Sequence, residues 1–111
     1  HKPQRYAYQA QEMLMQYGHQ VFPVSGNGRT ILEVSGYCSV GEINDPIDTV
    51  TLYLNADRHQ AIKQDMLALK PRRIIFNPGT ESDELMQEYN AQGIETLEAC
   101  TLVMLRTGQF E

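Results

Sequence analysis

Residues 72–85 read RRIIFNPGTESDEL, and this stretch decides how the rest of the chain is interpreted. Ile74–Phe76 is an unbroken apolar run, which is typical of a strand covered on both faces. Asn77–Gly79 ends that strand, because proline cannot donate to a strand ladder and glycine permits a sharp turn. Thr80 and Asp83 have the spacing of a capping box at the start of a helix. Together these features predict half of a βαβ unit, and ligands of such folds bind at the turn beyond the carboxyl end of the strand.

The remainder of the chain alternates helical and strand patterns. In the first half of the chain we predict a helix from Pro3 to Tyr17 ended by Gly18, a strand at 19–24 (HQVFPV), short extended segments at 31–34 and 37–40, and a strand at 49–54 (TVTLYL). In the second half we predict a helix at 58–69 with Asp57 as its N-cap, the strand at 74–76, a helix at 82–92 ended by Gly93, and a strand at 94–97. The chain then continues as an apolar tail, Leu102–Leu105, that packs back on the domain. This order predicts one α/β domain over residues 1–111, with a doubly wound, mostly parallel sheet and helices on both faces.

Composition narrows the class of protein. The chain has 111 residues, of which 41% are hydrophobic and 21% charged, as in ordinary globular domains. Its net charge of −5 argues against a general nucleic-acid binder, although a few backbone N–H groups and one arginine are enough to hold a phosphate. No apolar run approaches the roughly 20 residues that span a bilayer, and no signal peptide is recognisable, so we predict a cytoplasmic protein without membrane contact.

Four polar loops follow the predicted strands, at Ser25–Arg29, Asn55–Asp57, Asn77–Thr80 and Glu98–Thr101. In a parallel sheet all four gather at the carboxyl edge. They carry amides, hydroxyls and helix N-termini, which suit a polar or phosphorylated ligand. The alternative interpretation is that these residues are simply good turn formers. The clustering of all four loops favours a ligand site more than any one of them does.

Residues for catalysis are scarce. The histidines (His1, His19 and His59) lack metal-site spacing, and no catalytic triad or Walker loop is present, so we predict no catalytic residue and no metal site. Glu81 is interpreted as a carboxylate that favours the dipole of the following helix. The two cysteines, Cys38 and Cys100, form no CxxC motif. Cys100 is either a reactive thiol at the ligand edge or, more simply, a buried and inert one.

Several short motifs occur in a fixed order, and they carry a resemblance to a known family. They are Pro3-x-Arg5-Tyr6-x-Tyr8, Tyr17-Gly18-His19-x-Val21-x-Pro23-Val24, Val50–Asn55, Asn77-Pro78-Gly79-Thr80-Glu81 and the late Cys100. Together they resemble the CoA-binding domain family, small Rossmann-like proteins similar to the N-terminal domain of the succinyl-CoA synthetase α subunit. The resemblance covers essentially the whole chain.

The resemblance implies that coenzyme A lies along the carboxyl edge of the sheet. It implies a pyrophosphate near a glycine loop and the start of the first helix, with the rest of the nucleotide between neighbouring loops. The implied cofactor-binding residues are Pro3, Arg5 and Tyr6 in the first helix, Val24, Ser25 and Arg29 after the first predicted strand, Tyr53, Leu54 and Asn55 after the second, Asn77, Pro78 and Gly79 after the third, and Cys100.

The chain departs from the family pattern in two places. The family usually has glutamine at the position of Asn77, and the shorter amide reaches less far. The family also begins with an apolar strand and a Gly-Ala-Ser type loop before Pro3, and that strand lies between the strands predicted at 19–24 and 49–54. Without it two inner strands leave ladder groups unpaired, which is costly. We therefore expect that about ten N-terminal residues precede this sequence, the length of a strand and a turn.

These observations favour a small CoA- or acyl-CoA-binding protein without independent catalysis. One alternative is a module that binds NAD or another nucleotide, although the acidic residue that usually holds a ribose is not obvious after Val24. Another is an accessory component of an acyl-CoA ligase, whose partner would carry the catalytic residues. A purely structural module is a further alternative, and Leu102–Leu105 is a candidate contact for a homodimer.

Overall fold

The computed structural model describes residues 3–22, 24 and 40–110. The elements are α1 (Pro3–Gln16), a 3₁₀ turn (Val40–Glu42), β1 (Thr49–Leu52), α2 (Ala56–Leu69), β2 (Arg73–Phe76), α3 (Asp83–Ala91), β3 (Glu95–Glu98) and α4 (Thr101–Arg106). The three strands form a parallel sheet in the order β1-β2-β3. The predicted α/β class is confirmed, with β2 in the middle of the sheet as its unbroken apolar run requires.

Helices cover the sheet on two sides. Ile74 and Phe76 of β2 belong to a buried cluster with Met66 of α2 and with Leu85 and Tyr89 of α3. Ile75 lies between them in sequence and is equally buried, but it is outside that cluster. Because successive side chains of a strand point to opposite faces, Ile75 is buried on the other face. The predicted arrangement of helices on both faces follows from this alternation.

Helices α1 and α4 pack against each other. Their buried residues, Leu14 and Leu105 among them, are like Ile75 outside the cluster that α2 and α3 cover, which indicates that both helices lie on the Ile75 face. The apolar tail forms the helix α4, which the sequence pattern did not predict. This helix buries Leu102, Met104 and Leu105, as expected for a segment that packs back on the domain. These side chains are within the fold, whereas Val103 on the same helix is half exposed.

The ends of α1 and α4 meet at the amino edge of the sheet. Phe110 lies edge-on to His19, which follows α1, with ring centroids 5.1 Å apart. The guanidinium of Arg73, the first residue of β2, lies 4.8 Å from the centre of the Phe110 ring and donates to the Phe110 carbonyl. Both helices therefore end near the start of β2. It follows that α1 runs from the carboxyl side of the sheet toward its amino side, and that its first turn lies toward the carboxyl edge.

Both predicted N-caps are wrong, and each helix is capped by a neighbouring residue. The amide oxygen of Asn55, not Asp57, accepts the Arg58 N–H at 2.9 Å at the start of α2. The hydroxyl of Ser82, not Thr80, accepts the Leu85 N–H at 3.2 Å at the start of α3. Thr80 lies two residues before the cap, and its hydroxyl donates to the Asn77 carbonyl in the preceding turn. The capping box predicted for Thr80 and Asp83 is therefore absent from this turn.

Four strand predictions also need correction. Residues 19–22 are not a strand and Val24 makes only a single β-bridge, while Pro23, the segment 31–34 and all of 37–40 except Val40 lie outside the described residues. Val40 begins the 3₁₀ turn rather than ending a strand. The strand predicted to reach Leu54 ends at Leu52, because the Leu52 carbonyl accepts a hydrogen bond from the Asn77 side chain. The last strand is displaced by one residue, to 95–98.

The corrected cap of α3 gives a testable difference in stability. Ser82→Ala is expected to lower the free energy of unfolding by about 1 kcal/mol, because the Leu85 N–H loses its acceptor. Ser82→Gly is expected to cost only a few tenths of a kcal/mol, since glycine at an N-cap leaves the N–H groups open to water. Urea unfolding followed by circular dichroism measures both. No loss in Ser82→Ala would mean that another residue caps α3.

Candidate functional site

The three strands end level with one another at the carboxyl edge of the sheet. Leu52 pairs with Phe76, and Phe76 pairs with Glu98, so that the last residues of β1, β2 and β3 are in register. The loops at 53–55, 77–82 and 99–100 therefore leave the sheet side by side. This is the edge at which the sequence places the ligand.

Asn77 connects all three of these loops. Its side-chain amide donates to the Leu52 carbonyl at 2.9 Å and accepts the Thr101 N–H at 2.8 Å. The residue is only 2% exposed. Since both ends of the amide are engaged, the Asn77 side chain holds the end of β1 and the start of α4 at fixed positions beside β2. The buried Asn77 side chain thus fixes the relative positions of the loops at the carboxyl edge.

The turn after Asn77 presents its backbone outward. Gly79 is exposed and has a φ of +93°, a conformation that a side chain would strain. Its N–H donates to both oxygens of the Glu81 carboxylate, at 3.0 and 3.2 Å. Thr80 anchors the turn from below through two bonds to the Asn77 carbonyl, of 3.0 Å from its N–H and 2.7 Å from its hydroxyl. An exposed backbone donor at this edge therefore already faces an anionic group, here a carboxylate of the chain itself.

A cluster of hydroxyl and thiol groups lies between the β1 and β3 ends of the edge. Burial raises the pKa of the half-buried Tyr53 phenol, and the nearby Thr51 and Thr101 hydroxyls partly offset this effect while the Cys100 thiol adds to it. Thr101 is 0% exposed, and its hydroxyl has no hydrogen-bond partner of ordinary geometry among the described residues, although it lies close enough to the Tyr53 phenol to favour the ionised form of that phenol. Cys100 is a partly buried free thiol at the N-cap of α4 and makes no side-chain capping bond. A buried hydroxyl without a partner is costly and marks this cluster as incomplete.

His59 lies beneath the same edge, at the start of α2. It is 0% exposed, its Nε2 lies 2.6 Å from the Tyr89 hydroxyl, and its ring stacks on that of Tyr89. Its Nδ1 has no hydrogen-bond partner among the described residues. Burial lowers the pKa of His59 to about 4 and raises that of Tyr89 to about 12. Both groups are therefore neutral near pH 7, and they belong to the core rather than to the surface of the site.

The structure places most of the predicted site residues at or toward the carboxyl edge, whereas two of them lie outside the described residues. Tyr53, Leu54, Asn55, Asn77, Pro78, Gly79 and Cys100 all lie in the three edge loops. Pro3, Arg5 and Tyr6 lie in the first turn of α1, toward the same edge. Val24 is exposed, and Ser25 and Arg29 lie outside the described residues. Of these residues, Asn55 is committed to capping α2 and Asn77 to joining the loops.

Two residues at the edge were not singled out from the sequence. Glu81 was interpreted as a helix-dipole carboxylate, yet it accepts the Gly79 N–H. From the sequence Thr101 is only the last residue of a polar loop, yet its hydroxyl is buried without a hydrogen bond of ordinary geometry to any residue that the structure describes. Neither feature leaves a spacing signal in the sequence, because the Glu81 contact and the burial of Thr101 both depend on how the loops turn at the edge.

Two other kinds of site can be addressed within 3–22, 24 and 40–110. These residues contain no group of three or more histidine, cysteine, aspartate or glutamate side chains placed to hold a metal ion. None of their helices combines the length and the apolar character needed to cross a bilayer.

Comparisons with solved structures extend these observations. An uncharacterized protein of known crystal structure is 39% identical to this chain, with a TM-score of 0.85, and the match covers 98% of this chain and 89% of that one. A hypothetical protein from Pyrococcus horikoshii OT3 matches at 21% identity and a TM-score of 0.86, over 96% of this chain and 75% of that one. A protein from Thermus thermophilus matches at 22% identity and a TM-score of 0.85, over 99% and 84%. The last two show the Rossmann-like fold alone.

A comparison with protein families identifies the chain more closely. The family model described as "CoA binding domain" matches residues 1–106, which is nearly the whole sequence and includes all three edge loops. The resemblance noted from the motifs is thereby confirmed, and the chain belongs to the CoA-binding domain family.

Proposed function

We propose that this protein binds coenzyme A or an acyl-CoA at the carboxyl edge of its sheet and does not itself catalyse a reaction. The observation that carries the proposal is the level end of the three strands, where Asn77 fixes the loops that a family member would use for CoA. Membership of the CoA-binding domain family supports CoA as the ligand.

The backbone of the edge supports a phosphorylated ligand. The Gly79 N–H is held in an exposed turn and donates to the Glu81 carboxylate, so it suits an anionic oxygen, and a phosphate binds there by displacing Glu81. The first turn of α1, which includes Arg5, lies toward this edge, and this direction of the helix supports a pyrophosphate contact there. A helix N-terminus and an arginine are both favourable partners for a phosphate.

Calorimetric titration of the chain with CoA, acetyl-CoA and NAD tests the proposal. We expect CoA to bind and NAD not to compete with it, and Arg5→Ala to weaken CoA binding about tenfold through loss of a charged phosphate contact. Arg72→Ala is the matched control, because Arg72 pairs with Asp48 at the amino edge, 2.7 Å away in the ion pair, and has the same charge. Arg72→Ala is expected to leave the affinity unchanged.

Three outcomes would contradict the proposal. If neither CoA nor acetyl-CoA gave a heat of binding, both would be excluded as ligands. Tighter binding of NAD than of CoA would favour the dinucleotide alternative. An equal loss of affinity in Arg5→Ala and Arg72→Ala would show that net charge, rather than a contact at the edge, is responsible.

A further inference from the structure

The cluster formed by Tyr53, Cys100 and Thr101 has features beyond those of residues that only line a binding site. Cys100 is a free thiol that is only partly buried, and its side chain makes no capping bond to α4. A cysteine in such a position remains accessible to a small molecule that enters the edge, unlike the fully buried cysteines that serve only as packing.

The adjacent Thr101 gives an independent reason to expect a ligand at this point. Its hydroxyl is fully buried beside Tyr53 and makes no hydrogen bond of ordinary geometry with the described residues. Its backbone N–H is already bonded to Asn77. Buried hydroxyls are nearly always paired with protein, water or ligand, so the Thr101 hydroxyl offers a polar contact for which residues 3–22, 24 and 40–110 supply no partner of ordinary geometry.

The chemistry of the proposed ligand matches the chemistry of this cluster. CoA ends in a thiol, and Cys100 is a thiol at the edge along which CoA is proposed to lie. When the CoA sulfur arrives as part of a disulfide, the thiolate of a nearby cysteine attacks it, and thiol–disulfide exchange follows. The neighbouring hydroxyls of Tyr53 and Thr101 are groups that hydrogen-bond to polar ligand atoms beside the sulfur.

We propose that Cys100 captures CoA as a mixed disulfide by exchange with a CoA-containing disulfide, an inference that rests on the proposed CoA-binding function. The Cys100 thiolate attacks the CoA sulfur of CoA–S–S–R, the S–S bond between Cys100 and CoA forms, and the S–S bond between the CoA sulfur and the leaving RS group breaks. The departing RS⁻ takes up a proton, which balances the proton that Cys100 released. One disulfide is consumed and one is made, so no further oxidant is required. A small thiol reverses the step and releases CoA.

Intact-protein mass spectrometry tests this capture. The reduced protein is incubated with CoA disulfide or, at the same concentration, with glutathione disulfide. We expect a single CoA adduct that is removed by dithiothreitol, and we expect it to form at least about tenfold faster than the glutathione adduct, because binding at the edge holds the sulfurs together. The Cys38→Ser variant, which keeps only Cys100, is expected to form the adduct, whereas Cys100→Ser and Cys100→Ala are not.

The outcomes separate this inference from the proposed function. Titration of the wild-type protein with reduced CoA under reducing conditions is run in parallel. Binding of reduced CoA without an adduct would overturn the capture and leave the proposed function standing, whereas absence of both would overturn both. Equal rates with the two disulfides, or an adduct confined to Cys38, would also overturn the capture. Because the rate comparison uses only wild-type protein, it does not depend on the folding of the variants.

Discussion

Lowering the pH from 6.5 to 4 is expected to reduce the free energy of unfolding by up to about 3 kcal/mol through His59 alone. His59 is buried against Phe76 and Tyr89, with ring centroids 5.6 and 5.4 Å away. Its neutral ring is tolerated there, whereas a charged ring would lose its hydration without gaining a partner, because Nδ1 has none among the described residues. Burial therefore lowers its pKa to about 4.

The sign follows from the lowered pKa. The unfolded chain takes up a proton on His59 near pH 6.5, whereas the folded protein resists protonation until about pH 4. The contribution to stability is thus complete above pH 6.5, falls as the pH drops, and does not change further once both states are protonated. Asp48, whose pKa the Arg72 side chain lowers to about 2, acts in a more acidic range, so that the two effects separate.

The double variant His59→Leu/Tyr89→Phe provides the control. It removes the buried pair as a unit, so neither side chain is left with an unpaired polar atom. Urea unfolding at intervals between pH 7 and pH 4 should show the steep loss in the wild type and a much flatter profile in the double variant. Equal slopes in the two proteins would assign the acid sensitivity to other groups.

Asn77→Ala is expected to lower the free energy of unfolding by about 2–4 kcal/mol and to weaken CoA binding at least tenfold. The substitution leaves the Leu52 carbonyl and the Thr101 N–H without their partner in a buried location. Each unsatisfied buried group costs roughly 1–3 kcal/mol. The proposed CoA binding is expected to weaken as well, because the loops after β1 and β3 lose the amide that sets their spacing.

The matched control is Asn90→Ala. Asn90 is exposed on α3, and its side-chain oxygen accepts a hydrogen bond of 3.0 Å from the Thr96 hydroxyl. We expect a change within about 0.5 kcal/mol and no effect on CoA binding. Denaturant unfolding and calorimetry on both variants measure the contrast. A loss in Asn77→Ala no larger than in Asn90→Ala would show that the buried amide does not organise the edge.

The α/β class was predictable because it depends on patterns within single segments. The run Ile74–Phe76 has no polar position, so only the middle of a sheet suits it, and β2 is indeed paired on both sides. The helices at 58–69 and 82–92 were located from apolar spacing that their own residues carry. The family was recognisable because its short motifs occur in a fixed order, and the family comparison confirms it.

The caps and the details of the site depend on contacts that no local pattern contains. Asn55 and Asp57 are both good N-cap residues, and the choice between them depends on which backbone is extended, here that of Asn55 with φ −71° and ψ 168°. The strand expected at 19–24 needed a neighbouring strand that local propensity cannot supply. The bonds of Asn77 join residues 24 and 25 positions apart, so they exist only once the sheet has formed.

The parallel register has a consequence for how the chain folds. Thr49 pairs with Arg73 and Arg73 pairs with Glu95, so each strand reaches its neighbour only after an intervening helix has been crossed. A sheet of this kind cannot grow from a tight hairpin, and its contacts are distant in sequence, which slows folding. Because β2 is common to both pairings, we expect neither half of the sheet to fold early without it. The chain therefore presents its ligand edge late, as one cooperative step rather than loop by loop.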